Sequence, residues 1–455
     1  MRMPASIRLR DLALPCALGL GVVGCDGGSK APALSRTEEV VRSAPIPPEN
    51  APKLGVVSEL LQVRAFTDVR APSLGVLRAG AQVPRSLEPV SHAGCSGGWY
   101  AIRPRGFVCV GAEATLDLSH PTLAAMALAP KVDARLPYTY ARTRAETPLF
   151  ERVPGQEDAV REIGKLHRRA GMAVIGSWRA KEPSGTDARL ALLTDGHFVR
   201  AADLTAAQGS DFAGVELDKT ELPIAFVVKR GVRAFTLEGQ EAQKGDLLEY
   251  HSELLLSGRF RSVGSVKYWA FNGSGAHASD ELWVRHQDVT VVQKRSSFPD
   301  FVKGELRWLD VSATTGTLVA YQGKRPLFVT LLSVARELPE GSGDVQPASD
   351  GPRPIPLGTF EVRQKQLTFV GKDPNRFGEA FEVADVPWAL ELSSGQLLHG
   401  AYWHDRFGIE HGAGSFALSP ADAARLFRFV GPELPSGWHA VTAATGQGTP
   451  VVIRK

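Results

Sequence analysis

The stretch LHGAYWHDRFGIEHGAGSFALSPADA, residues 398–423, sets the reading of the whole chain. Leu398-His399-Gly400 ends an apolar run of the strand type, and Ser419-Pro420-Ala421-Asp422 opens a helix. Ser419 is the expected N-cap, and Pro420 takes the first helical position, where a missing N–H costs nothing. Ala423, Leu426, Phe427 and Val430 then recur at the i, i+3, i+4, i+7 spacing of one apolar helix face, and Gly431-Pro432 stop the helix. Between strand and helix lies Gly412-Ala413-Gly414-Ser415-Phe416-Ala417. It has the build of a catalytic turn, yet a single hydroxyl stands where several reactive groups would be useful.

Working outward, LRWLDVSATTGTLVAYQGKRPLFVTLLSVA predicts three strands, 306–312, 317–321 and 326–333, with turns at 314–316 and 322–324. GTPVVIRK adds a last strand, so residues 304–455 read as a β-rich domain with few helices. From about 54 to 300 the chain shows short strands punctuated by Gly and Pro, the pattern of small all-β barrels. A weak repeat runs through it. Phe198-Val199-Arg200-Ala201-Ala202-Asp203-Leu204 matches Trp283-Val284-Arg285-His286-Gln287-Asp288-Val289, and Phe107-Val108-Cys109 stands at the equivalent end of an earlier unit. These features resemble bacterial SH3-like modules and imply three of them, 54–118, 130–210 and 220–296. The upstream aromatics Trp99, Trp178 and Trp269 are expected in their cores and not in a ligand groove. The charged segment EDAVREIGKLHRRAG, 157–171, reads as a solvated helix or long loop.

The first residues carry an address. Arg2, Arg8 and Arg10 precede the apolar run LALPCALGLGVVG, residues 12–24, which is too short to span a bilayer and reads as a secretory signal. Val22-Val23-Gly24-Cys25 resembles the lipobox of bacterial lipoproteins, which implies a signal peptide over 1–24 and lipidation of Cys25 as the membrane anchor. The alternative is a plain signal peptide. Residues 25–53, rich in Pro, Ser, Gly and Ala, read as a flexible tether. Of the four cysteines, Cys95 and Cys109 then remain, and in an exported protein they are expected to pair as a disulfide. The balance of 52 basic and 49 acidic residues gives no argument for nucleic acid.

Over residues 304–455 the chain resembles the catalytic domain of the bacterial L,D-transpeptidases, which exchange acyl groups on peptidoglycan stem peptides. Pro356-Leu357-Gly358-Thr359-Phe360 follows the family's Thr-Pro-x-Gly-x-Phe stretch, with Ile355 in place of Thr. Leu398-His399-Gly400, Phe407-Gly408 and Leu418-Ser419-Pro420-Ala421-Asp422-Ala423 follow in the family's order. Its signature, Ser/Thr-His-Gly-Cys-hydrophobic-Arg/Asn, falls on residues 412–417. Ser415 then takes the Cys position, Ala413 the His position and Ala417 the Arg or Asn position. A Cys thiol gives useful thiolate near neutral pH, whereas a Ser hydroxyl needs a positioned base, and here the expected base is a methyl group.

The resemblance therefore implies an envelope lipoprotein whose last domain keeps the fold and has lost ordinary transpeptidation. It would bind stem peptides or an envelope partner, with Gly400, Trp403, Gly414 and Phe416 in the cleft. One alternative is an acyl transferase in which Ser415 borrows His399 or His411 as base. Another is a structural spacer without a ligand. A metal held by His399, His404, Asp405 and His411 lacks the spacing of known sites, so neither metal nor cofactor is expected. The implied location is the bacterial cell envelope, facing the periplasm, with the choice of membrane and any protein partner left open.

Overall fold

In the computed structural model the C-terminal strands form where alternation and turns place them. The described residues are 45–127, 130–156, 158–218, 220–273, 281–334, 355–371, 382–409, 411 and 414–455. The stretch expected as a signal peptide, 1–24, with Cys25 and the expected tether up to residue 44, lies outside them, as do Gly412 and Ala413. Arg307–Ser312, Thr317–Gln322 and Arg325–Leu331 form an antiparallel meander in which Leu309 faces Ala320 and Ala320 faces Phe328. Pro450–Arg454 runs parallel to the first of these strands.

The long strand Gly358–Phe369 joins two halves of the domain. Its start pairs with Pro450–Arg454, and its end lies between Val386–Leu392 and Ala440–Thr442. Leu397–Gly400 then pairs antiparallel with Val386–Leu392, and Phe416–Leu418 pairs parallel with Leu397–Gly400. The helix Pro420–Phe429 forms as its caps dictate, with the Ser419 hydroxyl accepting the Asp422 N–H at 3.1 Å. Its apolar face covers one side of this sheet, where Trp388, Leu390, Leu398, Phe416, Leu426 and Phe427 share a core. The other side is closed by upstream residues, with Tyr140, Phe212 and Phe226 packed among Leu397, Trp403, Phe407 and Ala417.

Two upstream stretches, Thr139–Ala206 and Ile224–Val292, each build a seven-stranded sheet. Numbering the strands of each by sequence as one to seven, both run 3-2-6-5-4-1-7. The repeat seen in the sequence is thus a strand, a 3-10 turn and a strand in both: Ala201–Asp203 and His286–Asp288 are the turns, each with an Arg-to-Asp contact three residues long. Trp99 and Trp269 are core residues, and Trp178 is half-buried against Phe198. Cys95 and Cys109 form the disulfide.

One expectation fails. Within the segment 157–171, the described residues 158–171 are neither helix nor long loop, because Val160–Leu166 forms a strand at the edge of its sheet, paired with Thr147–Arg152. Only Val160 and Leu166 at its ends are buried, and the charged residues between them stay in water. An edge strand tolerates charge on both faces, so the alternation that marks a strand is absent from the sequence.

The first part of the chain is stitched into the C-terminal sheet. Ser73–Arg78 pairs antiparallel with Ala440–Thr442, and Gly75 permits the approach, since a Cβ there would lie 2.3 Å from the Ala440 carbonyl oxygen. At the end of that strand Arg78 donates to Asp385 at 2.7 Å, and Asp385 also accepts from the hydroxyls of Thr194 and Thr368. Both charged side chains of this pair are 7% exposed. Tyr140 donates to the Asp385 carbonyl at 2.7 Å. Asp385 itself takes φ +51, a left-handed conformation that Asp tolerates better than most residues.

Beside this hub lies His439, 4% exposed, with its Nε2 at 2.8 Å from the Thr368 carbonyl. Burial first, then the Arg78 charge, lowers its pKa from 6.5 to about 3. The unfolded chain takes up this proton below 6.5 and the folded one does not, so the contribution to stability is complete above 6.5 and is lost as pH falls towards 3. The loss is about 1.4 kcal/mol per pH unit. In urea titrations at about pH 7.5 and about pH 4.5, His439→Gln is expected to lose about 3 kcal/mol less than the wild type. Equal losses in the two proteins would show that His439 is not held neutral.

Candidate active site

Parallel pairing of Leu397–Gly400 with Phe416–Leu418 sets His399 opposite Ala417. Side chains alternate along a strand, so Ser415, two residues before Ala417, points to the same face as His399. The two meet, with His399 Nε2 3.1 Å from Ser415 Oγ, and they are 1% and 5% exposed. On the other edge of the ring, His399 Nδ1 lies 3.2 Å from the Gly400 carbonyl oxygen. A carbonyl can only accept, so the tautomer that satisfies both contacts carries its proton on Nδ1 and leaves the Nε2 lone pair facing the hydroxyl. This is the order of groups that a serine nucleophile requires: hydroxyl, base, and an acceptor that orients the base.

Trp403, 8% exposed, stacks on the imidazole with ring centres 5.7 Å apart and planes 19° from parallel. Gly414 takes φ +78, which lets the chain turn sharply into Ser415. Phe416 faces the opposite side of the sheet, fully buried under the helix. A Cβ on Gly400 would stand 3.2 Å from Ala423 of that helix, so this glycine allows close packing there while its carbonyl serves His399.

The other candidate base, His411, is placed differently. Its backbone N–H donates to the Val334 carbonyl at 3.2 Å, its Nδ1 is 3.4 Å from an Arg406 nitrogen, and its ring meets that of His404 edge-on at 4.6 Å. Burial, followed by the charges that His411, His399 and Arg406 can carry, pushes His404 down to about 2, so it stays neutral. Its Nδ1 accepts the Arg406 N–H at 3.1 Å. Among the described residues no group of three His, Cys, Asp or Glu side chains is placed to hold a metal.

Both seven-stranded sheets reach the loop 401–409 that follows His399. Tyr140 packs on Tyr402 with ring centres 4.2 Å apart, and Arg142 donates to the Trp403 carbonyl at 3.3 Å. From the second sheet and its loops, His251 Nε2 lies 3.2 Å from the Phe407 carbonyl and Arg230 pairs with Asp405 at 2.7 Å. Nothing in the residue pattern announces these partners, which lie more than 150 positions away in sequence. The role of the Gly400 carbonyl is equally silent, because every residue has one. The aromatic density of Ala401-Tyr402-Trp403-His404-Asp405-Arg406-Phe407 is the only hint that the loop is packed and not free.

Residues 306–453 match the YkuD family, the L,D-transpeptidase catalytic domain. No curated protein matches the chain. Among solved structures it is similar to a Cys-to-Ser mutant of the Enterococcus faecium L,D-transpeptidase, at 17% identity, over 36% of this chain and 54% of that one, with a TM-score of 0.24. It is also similar to an L,D-transpeptidase from Mycobacterium tuberculosis H37Rv, at 17% identity, over 44% and 77% of the two chains, with a TM-score of 0.24. L,D-transpeptidase 3 of Mycobacterium tuberculosis, solved with a faropenem-derived adduct, matches at 17% identity over 44% and 79%, with a TM-score of 0.23. The present chain thus spans about half of the Enterococcus protein it matches.

Proposed function

We propose that the domain at 306–453 transfers or hydrolyses acyl groups of peptidoglycan stem peptides through Ser415, with His399 as base. The observation that carries this reading is the 3.1 Å contact between Ser415 Oγ and His399 Nε2, with the far nitrogen committed to the Gly400 carbonyl. In the proposed reaction Ser415 Oγ attacks an amide carbonyl as its proton passes to His399 Nε2. The imidazolium then protonates the leaving amine, giving an acyl-serine. An amine or water completes the cycle, again giving up a proton to His399. The base is oriented by a neutral carbonyl where many serine enzymes use a carboxylate, so imidazolium formation gains less stabilisation and turnover is expected to be slow.

A second reading is retention of stem peptides or an envelope partner without turnover. Two observations favour it: Ser415 is only 5% exposed, and the orienting group carries no charge. In either case the protein acts at the bacterial cell envelope, with lipidated Cys25 as its proposed membrane anchor and the upstream sheets as SH3-like supports.

The test incubates full-length protein with purified muropeptides and, separately, with faropenem, and follows products and protein mass. Trimmed or exchanged stems and an acyl adduct are expected, both lost in Ser415→Ala. Ser415→Cys is expected to acylate at least about tenfold faster, because a thiol near a neutral imidazole supplies thiolate at neutral pH. Co-sedimentation with peptidoglycan in the absence of any adduct or product would overturn the enzymatic reading and leave retention.

A further inference from the structure

On the face of the sheet opposite Ser415 a cleft of about 1110 Å³ opens beside the end of the 420–429 helix. The pairing register shows the separation. Lys365 faces Leu390, Leu390 faces Leu398, and Leu398 faces Phe416, so Lys365 stands on the helix side, whereas His399 and Ser415 point the other way. The cleft is lined by apolar side chains, among them Trp438, Phe427 and Leu434, and by four cations, Arg78, Arg307, Lys365 and Arg428, against two carboxylates, Asp133 and Glu433.

Arg78 is neutralised by Asp385, but the other three cations are not matched in the same way. Lys365, 3% exposed, donates to the Val430 carbonyl at 2.8 Å and lies 4.7 Å from the centre of the Phe427 ring. Arg307 donates to the Phe429 carbonyl at 3.2 Å, and Arg428 to the Val132 carbonyl at 3.5 Å. Among the described residues none of these three has a carboxylate within salt-bridge distance. A buried ammonium served by one carbonyl and a ring face is under-satisfied, and burial lowers its pKa from 10.5 to about 8 against the pull of Glu433.

We propose that this cleft binds an aliphatic carboxylate, its chain along the accessible side chains of Val132, Phe429 and Leu434 and its carboxylate on Lys365. The volume lies slightly above the usual range of small-molecule sites, about 300–1,000 Å³, and leaves room for a chain of about a dozen carbons. The chemistry is split as such ligands require, with an apolar wall and an uncompensated cation at its inner edge. This site is separate from the acyl-transfer reading: Ser415→Ala is expected to bind the ligand as the wild type does.

The probe is dodecanoate below its micelle threshold, titrated into full-length protein by calorimetry, with dodecanol and the peptide Glu-Glu as comparisons. Dodecanoate is expected to bind, with affinity about tenfold or more weaker in Lys365→Met, and dodecanol is expected to bind the wild type no better than dodecanoate binds that variant. Leu434→Trp, which fills the apolar wall and leaves the cation in place, is expected to weaken dodecanoate by a similar factor. It keeps the question answerable if Lys365→Met does not fold. Equal dodecanoate affinity in wild type and in whichever of these variants folds, or tighter binding of Glu-Glu than of dodecanoate, would overturn the proposal.

Discussion

His399→Ala is expected to slow acylation of Ser415 by about 10³-fold, the usual loss when a serine nucleophile is deprived of its base. The hydroxyl keeps its position at the start of the Phe416–Leu418 strand, but among the described residues its proton then has no acceptor facing it. Protein mass after timed exposure to faropenem reads the rate directly. The contrast with His411→Ala makes the experiment decisive. His411 rests against His404 and Arg406, while the 3.1 Å contact to Ser415 belongs to His399, so His411→Ala is expected to change the rate only a few-fold. Equal losses in the two variants would refute His399 as the base. Removing a fully buried ring also leaves the Ser415 hydroxyl short of a partner, which costs about 1–3 kcal/mol of stability. Rates should therefore be compared at a temperature where circular dichroism shows both variants folded.

Asp385→Ala is expected to destabilise the fold by about 3–5 kcal/mol, the cost of leaving one charge of a buried pair uncompensated. The Arg78 guanidinium would remain in the interior with its strongest partner gone, and the hydroxyls of Thr194 and Thr368 would lose the acceptor they share. Asp385→Asn keeps the shape and some hydrogen bonds, and is expected to lose less. The double replacement of Asp385 by Leu and Arg78 by Met removes both charges together and is expected to recover part of the loss, as replacing a whole buried pair often does. Urea midpoints of the four proteins measure these differences. A midpoint unchanged in Asp385→Ala would show that Arg78 finds another partner.

The strands of the C-terminal domain and its helix were legible because each rests on short-range rules. Residues 306–333 carry turns at the right intervals, and Ser419-Pro420 with Asp422 is a local capping device. The pairing of Cys95 with Cys109 followed from compartment and count, and the structure contains that bond. What stayed hidden depends on pairing between distant strands. The family signature drew attention to Ala413, and the sequence named His399 and His411 as candidate bases without choosing between them. The imidazole that touches Ser415 comes from a neighbouring strand, 16 positions away in sequence. Whether two side chains meet across a parallel pair is decided by register, and register is fixed by the whole sheet. The edge strand at 160–166 escaped because its charges serve solvation on both faces. The hydrogen-bonded seam between Ser73–Arg78 and Ala440–Thr442 escaped because neither segment alone shows what it pairs with.

That seam bears on how such a protein can change over generations. A lineage that gains or loses modules by recombination needs cut points where a piece can leave without wounding its neighbour. Here, excising the first stretch would strip Ala440–Thr442 of its hydrogen-bonding neighbour on one side and leave the buried carboxylate of Asp385 without its cation in the same stroke. A bare strand edge invites pairing with other chains. The unit that can be inherited intact is therefore the whole assembly from the first strand onward, and substitutions at residues 73–78, 385 and 440–442 should travel together.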